Sequence, residues 1–69
     1  MHPATEHILQ FFTYEHLPPH LKQLSEPFCV LAHSLARTSE LDGPELTVAL
    51  RKLLEAKDAA VRARVAGGA

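Results

Sequence analysis

The most reactive side chains in this sequence of 69 residues are one cysteine and five histidines. Cys29 and His33 are four residues apart, so a helix would place the thiol beside an imidazole that could act as its general base. However, Cys29 stands between Phe28 and Val30, and an apolar setting raises the pKa of a thiol. No glycine-rich turn provides an oxyanion hole. The pattern therefore predicts a buried, reduced core cysteine and a protein that is not an enzyme.

The five histidines raise the question of a metal site. His16 and His20 have the four-residue spacing of a zinc-binding pair, but Pro18 and Pro19 lie between them and prevent the helical geometry that such a pair needs. No cysteine or carboxylate completes a usual set of ligands. The sequence therefore predicts no metal site and no cofactor, with the histidines on the surface or at an interface.

Basic side chains concentrate in the last third of the chain. Lys57 is distinctive because it falls within an apolar helical stripe, between Leu53 and Ala60. A lysine in such a position either extends its amine to solvent or meets an anion. Together with Arg51 and Lys52, it is a candidate ligand-binding residue. The alternative is a solvated face on which opposite charges pair at i, i+4 spacing. These pairs would be Arg51 with Glu55 and Asp58 with Arg62.

Tyr14 is a candidate for stacking on a nucleobase, an interaction worth about 1–3 kcal/mol. It precedes Pro18 and Pro19 in a segment that these prolines keep out of a helix, and its hydroxyl favours a position near solvent. Phe11 and Phe12, in contrast, are expected to pack in the core. A stacking aromatic beside a basic helix is the minimum that a nucleotide site requires.

Helices are expected to position these residues. The first spans Pro3 to Phe12, and the segment from Thr13 to Pro19 ends it. The second runs from Pro19 to about Thr38 with one apolar face. This face comprises Leu21, Leu24, Phe28, Leu31, Ala32 and Leu35. Pro27 interrupts the hydrogen bonding of this helix, which predicts either a kink or a restart with Ser25 as N-cap.

The third helix is expected to span Pro44 to Arg64. A hinge at Ser39–Gly43 precedes this helix, with Asp42 or Gly43 as its N-cap, and a frayed tail follows from Ala66. It carries two apolar stripes. The first comprises Leu46, Leu50, Leu53 and Ala60, and the second Leu54, Val61 and Val65, with Val48 behind it. One hairpin partner cannot cover both. The sequence therefore predicts an all-α chain, with a short N-terminal helix and an antiparallel two-helix hairpin, assembled as a homo-oligomer.

Length and charge limit the classes of function. The chain is expected to form one domain, with an N-terminal helix and loop at 1–17 and the hairpin at 18–66, and a core this small is marginal without oligomerisation. A net charge of −1 is too weak for a protein that binds bulk nucleic acid. No stretch approaches the roughly 20 apolar residues of a membrane span, no signal peptide is evident, and a lone cysteine suits a reducing compartment. A soluble cytoplasmic protein is expected.

Two segments resemble small proteins of phages and prophages. They are YEHLPPHLKQLSEPFCVLAHSL at 14–35 and GPELTVALRKLLEAKDAAVRAR at 43–64. Those proteins carry the helical hairpin domain that anti-CBASS and anti-Thoeris signal sponges share. The resemblance covers about residues 11–65, and ALRKLLEAKDAAVR is its most specific part. It implies a homo-oligomer, typically a hexamer, that binds cyclic di- and trinucleotides at subunit interfaces without cleaving them, and so blocks anti-phage defence in the host bacterial cytoplasm.

The resemblance also implies roles for single residues. The segment Tyr14, His16 and Leu17 matches the one whose aromatic residue stacks on a base. The phosphate-binding lysine of the anti-CBASS branch has no counterpart, because Cys29 and Val30 occupy that region. Lys22, His33 or a residue of the third helix would then meet the phosphate. The alternative functions are a helical protein–protein interaction module that docks a partner helix, and a small DNA-binding phage regulator.

Overall fold

The computed structural model describes residues 2–38 and 43–67, and they form three helices. Helix α1 spans Pro3–Leu9 and continues as a 3₁₀ turn over Gln10–Phe12, α2 spans Pro19–Arg37, and α3 spans Pro44–Ala66. The all-α prediction is confirmed for these residues. The end of α3 was placed wrongly, because Ala66 is its last residue and not the start of a tail.

Helices α2 and α3 form an antiparallel hairpin, and α1 lies against both. The Arg64 guanidinium near the end of α3 donates a hydrogen bond to the backbone oxygen of His20 at the start of α2. Helix α1 runs in the same direction as α3. His2, before the start of α1, lies near Pro44 at the start of α3, and the 3₁₀ turn that follows α1 lies near the second half of α3. The core is formed where the three helices meet. Its buried apolar residues are Ile8, Leu9, Phe12, Ala32, Leu46 and Leu50.

Short polar contacts define where the helices begin. The Nδ1 atom of His2 accepts a 3.0 Å hydrogen bond from the amide of Ala4 and thereby caps α1. Gly43 is the N-cap residue of α3, and its carbonyl accepts the amide of Leu46 at 3.2 Å. Its φ of 100° is one that residues with a Cβ rarely adopt. Of the two caps predicted, Gly43 is therefore confirmed, whereas Asp42 and the rest of the hinge at 39–42 lie outside the described residues.

Helix α2 differs from the sequence prediction in its packed face. It continues through Pro27 without a restart, so the prediction of Ser25 as an N-cap is wrong. Ser25 instead lies in the interior and its hydroxyl has no hydrogen-bond partner among the described residues. Leu31 was expected on the packed face but is 47% exposed. The packed face is rotated towards Ser25 and Cys29, two residues that the apolar pattern had not included.

The second apolar stripe of α3 is partly covered within the chain. Leu54 packs against the core beside α1, and Val61 is half-buried next to the segment that follows α1. Val48 and Val65 remain exposed. The short N-terminal helix therefore covers apolar surface that the sequence analysis had assigned to an oligomer interface. Among the described residues, no helix is long and apolar enough to cross a membrane.

Candidate functional site

A groove of about 380 Å³ lies between the segment after α1 and the second half of α3. It brings together three of the residues selected from the sequence, His16, Leu17 and Lys57. The full lining comprises Gln10, Phe11, Thr13, His16, Leu17, Lys57, Asp58, Val61 and Arg62. We call it the Lys57 groove.

Local hydrogen bonds shape the wall of the groove that the connecting segment forms. The hydroxyl of Thr13 donates a 3.0 Å bond to the backbone oxygen of Gln10, which closes the end of the 3₁₀ turn. The amide of Leu17 then donates a 3.0 Å bond to the backbone oxygen of Tyr14, which makes a tight turn. This turn ends at Pro18 and Pro19, where α2 begins. Within the turn, His16 and Leu17 pass over α3 at the level of Lys57.

Lys57 is largely buried and meets an anion, which is one of the two outcomes that its position in the apolar stripe had left open. Its side chain is only 14% exposed, and its Nζ lies 3.0 Å from the Oδ1 atom of Asp58, whose side chain is about half exposed. Removing an ammonium group from water is costly unless an anion accompanies it. The lysine therefore holds a positive charge at the groove with one carboxylate beside it.

Arg62 adds a second positive charge to the groove. It makes no ion pair with any residue that the structure describes. The expected pair of Asp58 with Arg62 is wrong, because Asp58 turns to Lys57, and the expected pair of Arg51 with Glu55 is wrong, because Glu55 lies 4.0 Å from Lys52. With His16 neutral, two cationic side chains and one carboxylate leave the Lys57 groove with one net positive charge.

Tyr14 is separated from the basic residues with which it was grouped. It does not line the Lys57 groove, and it lies near Glu26 of α2 and near Glu15. The negative charge of Glu26 raises the pKa of the Tyr14 phenol, and desolvation and the charge of Glu15 act in the same direction. An environment with two carboxylates repels phosphate. The aromatic residue selected from the sequence is therefore in an unfavourable place for an anionic ligand.

Lys22 and His33 lie on α2, away from the Lys57 groove. They share one flank of the helix with Glu26 and Cys29, by their spacing of three and four residues. Burial raises the pKa of the Cys29 thiol, and the charges of Glu15 and Glu26 raise it further. The predicted direction of the thiol pKa is thus confirmed, although Cys29 is only partly buried. These residues form no common site with Lys57.

Arg51 and Lys52 diverge although they are consecutive. Arg51 lines two further cavities of about 330 and 310 Å³ along α1, whereas Lys52 lines none of the three and points to solvent. Consecutive residues of a helix are about 100° apart around its axis, so only one of two neighbours can face α1. Lys52 is therefore the weaker candidate.

Besides Arg62, the sequence analysis missed Phe11 as a residue of the groove. It was assigned to the core with Phe12, but Phe12 is fully buried and Phe11 is 49% exposed. Its ring lies 5.5 Å from that of His7, at an interplanar angle of 82°. Phe11 thus presents an aromatic surface beside Lys57, in the position that the sequence analysis had given to Tyr14. The adjacency of two phenylalanines was the available signal, since consecutive residues of a helix point about 100° apart.

Within the described ranges, no cluster of three or more histidine, cysteine or acidic residues is arranged to hold a metal ion. No family model, no curated protein and no solved structure matches this chain. The resemblance to the signal sponges therefore stays a prediction from the sequence, and the groove has to be interpreted from its own chemistry.

Proposed function

We propose that this chain is a non-enzymatic sponge that binds and sequesters a cyclic oligonucleotide signal, and so blocks bacterial anti-phage defence. The observation that carries the proposal is Lys57, a lysine held largely out of water at the wall of a groove with Phe11 and Arg62. Phosphate is the anion that such a pair of cations would bind. The exposed aromatic ring offers a stacking surface for a base.

The composition of the groove favours a nucleotide over a simple anion. An inorganic anion would need only Lys57 and Arg62, whereas the apolar part of the lining, including Phe11 and Val61, suits a base. The class of cyclic oligonucleotides comes from the sequence resemblance. The one thiol of the chain, Cys29, has a raised pKa and lies outside the groove, which supports binding without covalent chemistry.

We also propose that the chain self-associates, as the resemblance implies, and that it does so through the outer face of α2. The charged residues of this helix, Lys22, Glu26 and Arg37, all lie on one flank. The outer face contains no charged residue over its whole length of about 28 Å. It comprises His20, Gln23, Leu24, Pro27, Val30, Leu31 and Ser34.

Val30 and Leu31 expose apolar surface on this face. They are 59% and 47% exposed. Fully burying an aliphatic side chain contributes about 1.5–3 kcal/mol, which is large for a chain with so small a core. A second copy offers the same uncharged surface and can pair with it about a two-fold axis.

Ligand binding is tested with Lys57→Met, which removes the charge but keeps an apolar stem of similar length. Native mass spectrometry and calorimetry with cyclic di-adenylate and cyclic tri-adenylate should give a complex of intact ligand with the wild-type chain, and at least a tenfold weaker complex with Lys57→Met. Lys22→Met makes the same change on the far flank of α2 and should bind normally. Normal binding by Lys57→Met, or a hydrolysed ligand on chromatography, would contradict the proposal.

Self-association is tested separately by sedimentation. Val30→Glu should dissociate the assembly and leave its helix content unchanged, because the side chain is already exposed in one copy. Val65→Glu is the matched control, since Val65 on α3 is 55% exposed and lies outside the proposed interface. A wild-type monomer would contradict self-association and favour the alternative in which this face docks a partner helix.

A further inference from the structure

Phe11 lies between two cavities. Besides lining the Lys57 groove, its ring lines the cavity of about 310 Å³ on the other side, between α1 and the first half of α3. That cavity is lined by Ala4, His7, Ile8, Phe11, Thr47, Arg51 and Leu54. The two cavities therefore follow one another along α3, with the half-exposed aromatic ring at their boundary.

Arg51 gives the second cavity a positive charge. It forms no ion pair or hydrogen bond with any residue in the described ranges. Thr47, one turn earlier, contributes a hydroxyl to the same wall, and His7 contributes an imidazole from α1. No acidic side chain lines this cavity. It therefore has the character of an anion site without the compensating carboxylate that Asp58 supplies in the Lys57 groove.

The spacing of the positive charges sets the size of a ligand that could reach both. Arg51 precedes Lys57 by six residues and Arg62 by eleven, which correspond to about 9 and 16 Å of helix rise. A mononucleotide has its phosphate at one end and can meet only one of these positions while its base lies on Phe11. A ligand with two or more phosphates can meet both.

We propose that the Lys57 groove and the cavity of about 310 Å³ that Arg51 lines are two phosphate positions of one binding site, divided by Phe11, and that the site therefore selects oligonucleotides over mononucleotides. This inference rests on the proposed function, because it assumes that the Lys57 groove binds nucleotides. It adds a second phosphate position and predicts that the site prefers oligonucleotides to mononucleotides. A base stacks at Phe11, one phosphate meets Lys57 and Arg62, and another phosphate meets Arg51.

The test compares Arg51→Gln with Lys52→Gln, using cyclic tri-adenylate and adenosine 5′-monophosphate as probes in calorimetry. The two variants lose the same charge at neighbouring positions, but only Arg51 lines the cavity. Arg51→Gln should bind cyclic tri-adenylate about tenfold more weakly and the monophosphate within twofold of wild type. Its affinity for cyclic tri-adenylate should also depend less on salt than that of wild type, as expected for one lost phosphate contact. Lys52→Gln should bind both probes normally.

The possible results separate this inference from the proposed function. If Lys57→Met weakens the binding of cyclic tri-adenylate but Arg51→Gln does not, the groove binds nucleotides at one position and the inference is overturned. Equal weakening of both probes by Arg51→Gln also overturns it, because Arg51 would then act at the same phosphate as Lys57. If the wild-type chain binds neither probe, the proposed function itself fails. Circular dichroism of each variant shows that the helices are intact.

Discussion

The Nη1 atom of Arg64 donates a 2.9 Å hydrogen bond to the backbone oxygen of His20, which joins the last turns of α3 to the first turn of α2. The two residues are 44 positions apart in the sequence. At the other end of the hairpin, Leu46 and Leu50 are buried in the core together with residues of α1. The end near Arg64 lies beyond α1. This hydrogen bond therefore links α2 and α3 at the end of the hairpin opposite Gly43.

Replacing Arg64 should lower stability without affecting helix content. We expect Arg64→Gln to reduce the free energy of unfolding by about 1 kcal/mol, which is typical for one hydrogen bond. Urea denaturation followed by circular dichroism measures it. Arg62→Gln is the control, since Arg62 carries the same charge two residues earlier and makes no contact of this kind. Equal destabilisation by both variants would mean that helix charge, and not the bond to His20, is responsible.

Gly43 allows a second stability prediction. A Cβ at this position would meet no atom within 4 Å, so the cost of Gly43→Ala comes only from the backbone, whose φ of 100° disfavours other residues. We expect a loss of about 1–3 kcal/mol. Gly67 ends α3 with a φ of −73°, which any residue can adopt, and Gly67→Ala should change stability little. Denaturation midpoints that are the same for both variants would contradict this account of the cap.

The sequence was sufficient for the helices but not for the face that each one packs. The predicted starts of the helices at Pro3, Pro19 and Pro44 were correct, because proline at the first position of a helix costs no hydrogen bond. The packed face of α2 was misplaced because the apolar pattern omitted Ser25 and Cys29 and included Leu31, although Cys29 had been assigned to the core by its own neighbours. This rotation depends on how α2 packs against α3 and α1, which the periodicity within α2 does not report.

The candidate site was recoverable only in part for a similar reason. Lys57 could be identified because its charge interrupts an apolar stripe of its own helix. Its proximity to His16 and Leu17 could not, since it depends on how the turn after α1 crosses α3. Phe11 borders the Lys57 groove and Tyr14 does not, although they are only three positions apart, because Phe11 lies within the 3₁₀ turn beside α3 whereas Tyr14 follows this turn and lies near Glu26 of α2.

Stability should also depend on alkaline pH through Cys29. Burial raises the pKa of its thiol, and Glu15 and Glu26 act in the same direction. Because the folded chain holds this proton more tightly than the unfolded chain does, the stabilising contribution is present below the ordinary thiol pKa of 9.0 and is lost as pH rises above it. Urea midpoints measured from about pH 8 to pH 10 should fall less steeply in Cys29→Ala than in wild type.

Tyr14 provides the control for that measurement. The charge of Glu26 raises the pKa of its phenol as well, but from an ordinary value of 10.0, so the contribution of the phenol is lost only above the measured range and Tyr14→Phe should leave the profile unchanged. A profile in Cys29→Ala as steep as that of wild type would show that the thiol does not titrate differently in the folded and unfolded chains.

The final prediction distinguishes Phe11 from Tyr14 as the residue on which a base stacks. Phe11 borders two cationic positions, at Arg51 and Lys57, whereas Tyr14 lies beside Glu26. We expect Phe11→Ala to weaken the binding of cyclic tri-adenylate by about 1–3 kcal/mol, and Phe11→Tyr to retain it because the aromatic face remains. Tyr14→Ala should bind like wild type. Calorimetry on variants with unchanged oligomeric state measures these effects. The opposite result, with binding lost only in Tyr14→Ala, would place the ligand on the α2 side and reject the groove.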